Sequence, residues 1–182
     1  MSIPFDLIAK VFSKSLYCKK FGINISLFGV QGVTTLLLLI IHTIAGSTAI
    51  LSGFVALSWR KSSNGHRTAG NIFVLTILCL GFTGIYIAYS RSIMLSFVNG
   101  MLLCYFVSTA WMTVKRKAGT IGIFEVFAFL VAVAIVAMLV NFGIEASQSL
   151  DGKLNGFGSK AFYFFAFVAF IAAAQDLKMI FN

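Results

Sequence analysis

The chain has 182 residues, of which 59% are hydrophobic, 15% are aromatic and only 10% are charged. A soluble domain usually carries about 25% charged residues, so this chain has too few to cover a water-facing surface. The composition therefore excludes an ordinary soluble domain, and it predicts an all-α, polytopic bundle of transmembrane helices.

The net charge of +9 falls in short clusters between apolar segments. This distribution is typical of cytoplasmic loops, and no aromatic-rich basic face accompanies it, so we expect no nucleic-acid partner. The cysteines have no CxxC spacing, so neither a disulfide framework nor a zinc site is indicated, and we predict no metal. The two main basic clusters are Arg60, Lys61 and Arg67, and Lys115, Arg116 and Lys117.

Residues 1–23 contain four lysines and are too polar to span a membrane. Phe5, Ile8, Phe12 and Leu16 recur at helical spacing, which predicts an amphipathic helix on the membrane surface. A disordered tail is the alternative. We therefore divide the chain into a surface segment, 1–23, and a single transmembrane helical bundle, 24–182.

The apolar segments of the bundle are each long enough to cross a bilayer, for which about 20 residues suffice. A glycine-, serine- and charge-rich loop is expected at 145–159. The predicted spans are 32–59, 68–90, 93–114, 120–143 and 160–177.

The loops at 60–67 and 115–117 lie on the same side of such a bundle, and both are basic. The positive-inside rule places them in the cytoplasm, with the N-terminus outside and the C-terminus inside. The lysines of the N-terminal segment argue for the opposite orientation.

Stripes of small residues indicate the faces on which helices approach one another, because packing in lipid depends on close backbone contact. The stripes are Ala45, Ala49 and Gly53; Gly81, Gly84 and Ala88; Ser96, Gly100, Cys104 and Ser108; and Ala166, Ala169 and Ala173.

His42 lies on the stripe of the first span, so we expect it to face protein rather than lipid. The short 60–67 connection predicts a tight antiparallel hairpin, with His42 against Gly81 and Gly84. Such a ring is either a neutral histidine hydrogen-bonded across the bundle or a ligand to a haem or another small molecule. His66 lies too far from His42 in depth to share one haem iron, so bis-histidine ligation would need a symmetric dimer that pairs His42 with itself, or a ligand from elsewhere.

Ionisable groups inside spans are candidates for function because they are costly in lipid. His66, Arg67, Glu125 and Asp176 are expected at the same membrane face, where they could form a polar cluster. The alternative is that Glu125 and Asp176 only neutralise Arg67 and the basic loops.

A second and weaker candidate site lies near the opposite face, where Asn141 and Glu145 share a helix side and Asn99 has a similar depth. No catalytic motif is visible: there is no Ser/His/Asp set at one depth, no HExxH and no phosphate-binding loop.

Several short motifs resemble a family of uncharacterised bacterial inner-membrane proteins with a domain of unknown function. They are His42-Thr-Ile-Ala-Gly46, His66-Arg67-x-x-Gly70, Asn99-Gly100, Thr109-Ala110-Trp111 and Asp176-Leu177-Lys178. The likeness covers roughly residues 38–178, and its most specific part is the H-x3-G … H-R-x2-G hairpin.

The resemblance implies a helical bundle in the bacterial inner membrane and no known activity. Family members continue with an Arg-His-Leu-Trp-Arg-Met type segment that is not present before Asn182, so a role for that later histidine is not transferred to this chain.

Three functions follow as hypotheses. The preferred one is a non-enzymatic membrane protein that binds a partner subunit, a second copy, a lipid or a small apolar molecule. The alternatives are a haem-binding or electron-transfer protein, centred on His42, and a transporter or proton-relay component, using Glu125, His66, Arg67 and Asp176. We expect no cofactor under the preferred hypothesis.

Overall fold

The computed structural model describes residues 25–61, 63–116 and 122–181, with side chains from Val33 onward. The chain divides into two compact units, Met1–Leu38 and Leu39–Asn182. The surface helix predicted for residues 1–23 lies outside the described part of the chain.

Five long helices account for most of the described residues. They are α1 (Ile25–Ser58), α2 (Asn64–Ser90), α3 (Met94–Lys115), α4 (Ile123–Gln148) and α5 (Ser159–Phe181). Each contains a segment that is long and apolar enough to cross a membrane. The predicted all-α transmembrane fold is confirmed, and the chain is a multi-pass membrane protein.

The helix boundaries have local causes. The Ser63 side chain accepts a hydrogen bond from the backbone N–H of His66, so α2 begins at Asn64, four residues earlier than predicted. Ser92 has a φ of 55° in the short turn between α2 and α3. The α4 helix continues to Gln148, five residues beyond the predicted end at 143.

The segment predicted as a loop at 145–159 is largely ordered structure. It contains the end of α4 and a two-stranded antiparallel hairpin, β1 (Lys153–Leu154) and β2 (Phe157–Gly158). Asn155 and Gly156 form the turn with φ values of 50° and 84°, the left-handed backbone that Asn-Gly turns favour. The Asn-Gly pair was the sequence signal for this hairpin, and the prediction of a plain loop missed it.

The buried core lies among α3, α4 and α5. Its fully buried large side chains are Val98, Ile135, Leu139 and Phe162. The contact between α4 and α5 is the most extensive of the bundle. Small residues make it close, since a Cβ at Gly143 would lie 2.8 Å from the ring of Tyr163. Ala166, Ala169 and Ala173, the predicted stripe of the last span, are all buried.

Large apolar side chains cover the outer faces of the helices. On α1, for example, Leu57, Ile50 and Phe54 are exposed by 87%, 75% and 72%. In a soluble protein such surfaces would aggregate, whereas in a bilayer they face hydrocarbon.

A candidate ligand cavity between α3, α4 and α5

Glu125 is a buried carboxylate in the first turn of α4, with 6% of its surface exposed. Its Oε2 accepts a hydrogen bond of 2.9 Å from the backbone N–H of Gly122, which precedes the helix. Its Oε1 forms an ion pair with Arg116, directly after the end of α3. A carboxylate near a helix N-terminus is also favoured by the helix dipole. Glu125 therefore connects the ends of α3 and α4.

Gly122 makes room for this ion pair. A Cβ at this position would lie 2.8 Å from Nη2 of Arg116 and 3.6 Å from Oε2 of Glu125. The backbone φ of Gly122 is −141°, which any residue can adopt. A glycine is needed at position 122 because the guanidinium of Arg116 approaches this backbone closely, and not because the backbone conformation requires one.

Asp176 lies on α5, and its Oδ2 accepts a hydrogen bond of 2.5 Å from the hydroxyl of Tyr105 on α3. Tyr105 itself is buried, with 6% of its surface exposed. Hydrogen bonds to charged acceptors are shorter and stronger than those between neutral groups. This bond ties α3 to α5, as the Arg116–Glu125 pair ties α3 to α4.

The two carboxylates line one cavity of about 320 Å³, which lies between α3, α4 and α5. Ligand pockets commonly have volumes of about 300–1,000 Å³, so this one suits a small molecule. Its polar lining also includes Thr109, Thr113 and Gln175. The rest of the lining is apolar or aromatic: Tyr105, Phe106, Ala110, Met112, Phe124, Ala128, Ala172 and Met179.

Of the four residues predicted to form a polar cluster, Glu125 and Asp176 line this cavity. The other two are placed differently. The ring Nδ1 of His66 lies 2.8 Å from the backbone carbonyl of Ala56 on α1, and Arg67 is exposed. The alternative had named Arg67 and the basic loops as the groups that Glu125 neutralises. The cation that pairs with Glu125 is Arg116 of the basic loop at 115–117, and not Arg67, because Arg116 directly follows the helix that packs beside α4.

His42 lies between α1 and α2, where its Nδ1 is 3.0 Å from Oγ1 of Thr83. The Thr83 hydroxyl also lies 2.8 Å from the backbone carbonyl of Cys79 and 3.1 Å from that of Leu80. Thr83 therefore connects the ring of His42 to the backbone of α2. This arrangement matches the expected histidine hydrogen-bonded across the bundle.

The expected contact of His42 with two glycines is half correct. A Cβ at Gly84 would lie 3.2 Å from Cε1 of His42, so these two residues touch. Gly81 faces α3 instead, where a Cβ would collide with Sγ of Cys104. The hairpin of α1 and α2 is less tightly packed than predicted. These two helices meet through side chains, such as Phe73 against Gly53, whereas α2 and α3 pack extensively against each other.

The predicted second site is not assembled by any contact that the described residues show. Asn141 and Glu145 are exposed on α4. Oδ1 of Asn99 on α3 is buried and has no hydrogen-bond partner among the described residues. Across all the residues that the structure describes, no group of three His, Cys, Asp or Glu side chains is placed to hold a metal ion.

Sequence reasoning missed two residues of the cavity's polar network, Tyr105 and Arg116. A tyrosine in the middle of an apolar span was the available signal for Tyr105, because its hydroxyl needs a partner in hydrocarbon. Arg116 was placed in a basic loop that Glu125 was expected to neutralise under one alternative. The sequence did not single it out among the basic residues, since the turn between the two helices was unknown.

Comparison with known proteins gives no match. No family model matches the chain, and no curated protein and no solved structure is significantly similar to it.

Proposed function

We propose that this protein is a non-enzymatic membrane protein that binds a small molecule in the cavity between α3, α4 and α5. The observation that carries the proposal is that a cavity of ligand size holds two carboxylates and a few neutral polar side chains within a lining that is otherwise apolar or aromatic. A few placed polar groups in an apolar cavity are what small-molecule sites generally offer.

The state of the two carboxylates supports binding rather than catalysis. Glu125 is held by Arg116 and by a backbone N–H, and Asp176 is held by Tyr105. A general acid or base must exchange its proton with a substrate, whereas these groups are engaged by the protein. Groups held in this way can still orient a ligand.

The test is to purify the protein in mild detergent and to identify bound molecules by native mass spectrometry and by an absorption spectrum. We expect a small molecule to copurify, with no Soret band. The matched variants are Ala172→Phe, which fills the cavity, and Ala174→Phe, which adds the same ring on the exposed side of α5.

Ala172→Phe should lose the copurifying molecule, while Ala174→Phe and the wild type keep it. Equal retention in both variants, or a protein that carries nothing after expression with complete medium, would contradict the proposal. A Soret band that disappears in His42→Ala would favour the haem hypothesis instead.

A second candidate function is a transporter or proton-relay component. It is favoured by Glu125 and Asp176 lining one cavity within a membrane protein, since carboxylates inside spans often mark ion and substrate pathways. Reconstituted vesicles test it: Glu125→Gln and Asp176→Asn should then abolish a measurable flux. Unchanged proton and solute fluxes in both variants would rule it out.

For localisation, we propose the bacterial inner membrane, with the N-terminus outside and the C-terminus in the cytoplasm. The support is the placement of basic residues at one end of the bundle: Arg60 and Lys61 follow α1, and Lys115 and Arg116 end α3. Cytoplasmic loops carry such an excess of basic residues.

A further inference from the structure

The charges of the cavity indicate what kind of molecule it would hold. Glu125 and Arg116 form an ion pair, so their formal charges cancel. Asp176 has a neutral hydroxyl, that of Tyr105, as its hydrogen-bond partner. Among the described residues, Asp176 is therefore the lining carboxylate with no cationic partner, in a region where the low dielectric of the membrane screens charges poorly.

Among the described residues, two lysines follow closely on lining residues in sequence, and neither is part of the lining. Lys178 is exposed on α5 and is not part of the lining. Lys115 is exposed at the end of α3, and its Nζ lies 4.4 Å from the centre of the Trp111 ring. Long basic side chains near helix ends extend towards the membrane surface and keep their charge in water.

The apolar walls of the cavity also favour a cation. Phe106 and Phe124 present aromatic rings, and Met112 and Met179 present polarizable thioethers. Aromatic faces attract ammonium groups, most strongly where water is excluded. Such walls accommodate the apolar part of a ligand as well.

The position of the carboxylate within the cavity fits an amphipathic molecule. Asp176 lies five residues before Phe181, the last residue of α5, which corresponds to about 8 Å along the helix at about 1.5 Å per residue. An ammonium group that loses water on reaching this carboxylate is compensated by the opposite charge, while an apolar body contacts the apolar and aromatic part of the lining.

We infer that the cavity binds a small organic cation, an ammonium group with an apolar body, through Asp176 and the surrounding aromatic side chains. This inference rests on the proposed function of the same cavity, and it adds the chemical class of the ligand.

The test uses three probes of nearly equal shape with the full-length protein in lipid nanodiscs. The probes are benzyltrimethylammonium, its neutral carbon isostere neopentylbenzene, and the anion benzylsulfonate. Binding is measured by isothermal titration calorimetry. The same titration into empty nanodiscs measures partition of each probe into the lipid and is subtracted. We expect the cation to bind at least about tenfold more tightly than either of the other probes.

Two variants separate the charge of Asp176 from its hydrogen bond. Asp176→Asn removes the charge at nearly constant shape and should abolish the preference for the cation. Tyr105→Phe removes the same hydrogen bond but leaves the carboxylate, so the preference should persist. Loss of the preference in both variants would assign a structural role to Asp176 and would overturn the inference.

The wild-type series decides the question even if Asp176→Asn fails to fold. Equal binding of the cation and its neutral isostere, or no binding of the cation, would overturn the inferred ligand class. The proposed function would survive that result if a neutral or anionic molecule still copurified and was lost in Ala172→Phe. The proposed function fails when no molecule copurifies with the protein, or when the copurifying molecule is retained equally in Ala172→Phe and Ala174→Phe.

Discussion

At the scale of single residues, Glu125 shows how a buried charge is maintained at the end of an apolar helix. A buried charge that loses its partner costs far more than the intact pair contributes, since it remains desolvated without compensation. The side chain of Arg116 is 25% exposed and that of Glu125 is 7% exposed, so most of the cost of an unpaired buried charge should apply to Glu125.

Arg116→Met should therefore lower the free energy of unfolding by about 2 kcal/mol, somewhat less than for a fully buried pair. Adding Glu125→Gln removes the orphaned charge, so the double variant should recover most of the loss. Lys115→Met is the control: its exposed ammonium contacts only the Trp111 ring among the interactions described, and its removal should cost less than about 1 kcal/mol. Reversible unfolding in mixed micelles measures all three variants, and a double variant no more stable than Arg116→Met would contradict the argument.

The same residues mark how far sequence reasoning reached at the site. Glu125 and Asp176 could be selected because ionisable residues are rare and costly in spans. Their partners could not be assigned, since Tyr105 and Asp176 are 71 residues apart and meet only because α3 and α5 are lateral neighbours. Helical periodicity orders residues along one helix and says nothing about which helix lies beside it.

At the scale of the helices, the contact between α2 and α3 depends on two glycines that face each other. A Cβ at Gly100 would lie 2.7 Å from Cγ1 of Ile85 and 3.4 Å from the carbonyl oxygen of Gly81. There is no space for a methyl group unless the two helices move apart. Stripes of small residues in lipid serve this close approach of backbones.

Gly100→Ala should accordingly destabilise the protein by about 1–3 kcal/mol, the usual cost of overpacking. Gly70→Ala is the matched control on α2, because a Cβ there has no atom within 4 Å. Alanine favours helix over glycine by up to about 1 kcal/mol, so this control should be neutral or stabilising. Thermal unfolding followed by circular dichroism compares the two variants, and equal losses of stability would show that the contact is not tight.

The stripes also show the limit of prediction for the helices. The Gly81 and Gly84 face was expected to meet α1, and only Gly84 does so, because Gly81 is turned towards Cys104 on α3. A small-residue stripe is wide enough to serve two neighbours on adjacent sides. Its presence was visible in the sequence, whereas the division between α1 and α3 required the packed helices.

At the scale of the whole molecule, three spans separate the loop after α1 from the β-hairpin: α2, α3 and α4. Residues 61 and 151 must therefore lie on opposite sides of a membrane, whatever the orientation. The basic residues around residue 61 favour the cytoplasm for that loop.

Single cysteines at these positions test this topology, in a background in which Cys18, Cys79 and Cys104 are serine. In intact spheroplasts, an impermeant maleimide should label Asp151→Cys but not Lys61→Cys. Inverted vesicles should show the reverse. Labelling of both positions from one side would contradict the three intervening spans. Labelling of Lys61→Cys but not Asp151→Cys in spheroplasts would reverse the proposed orientation and leave the number of spans unchanged.

Composition and apolar segment length were enough to identify a helical membrane protein and the approximate position of each span. Hydrocarbon has no water to satisfy backbone groups, so an apolar segment of about 20 residues must form a helix whatever its neighbours are. The tertiary structure alone decided the lateral contacts: Tyr105 with Asp176, Arg116 with Glu125, and Gly81 with Cys104. These contacts also shape the cavity, because a space between three helices depends on which helices are neighbours and how each is rotated.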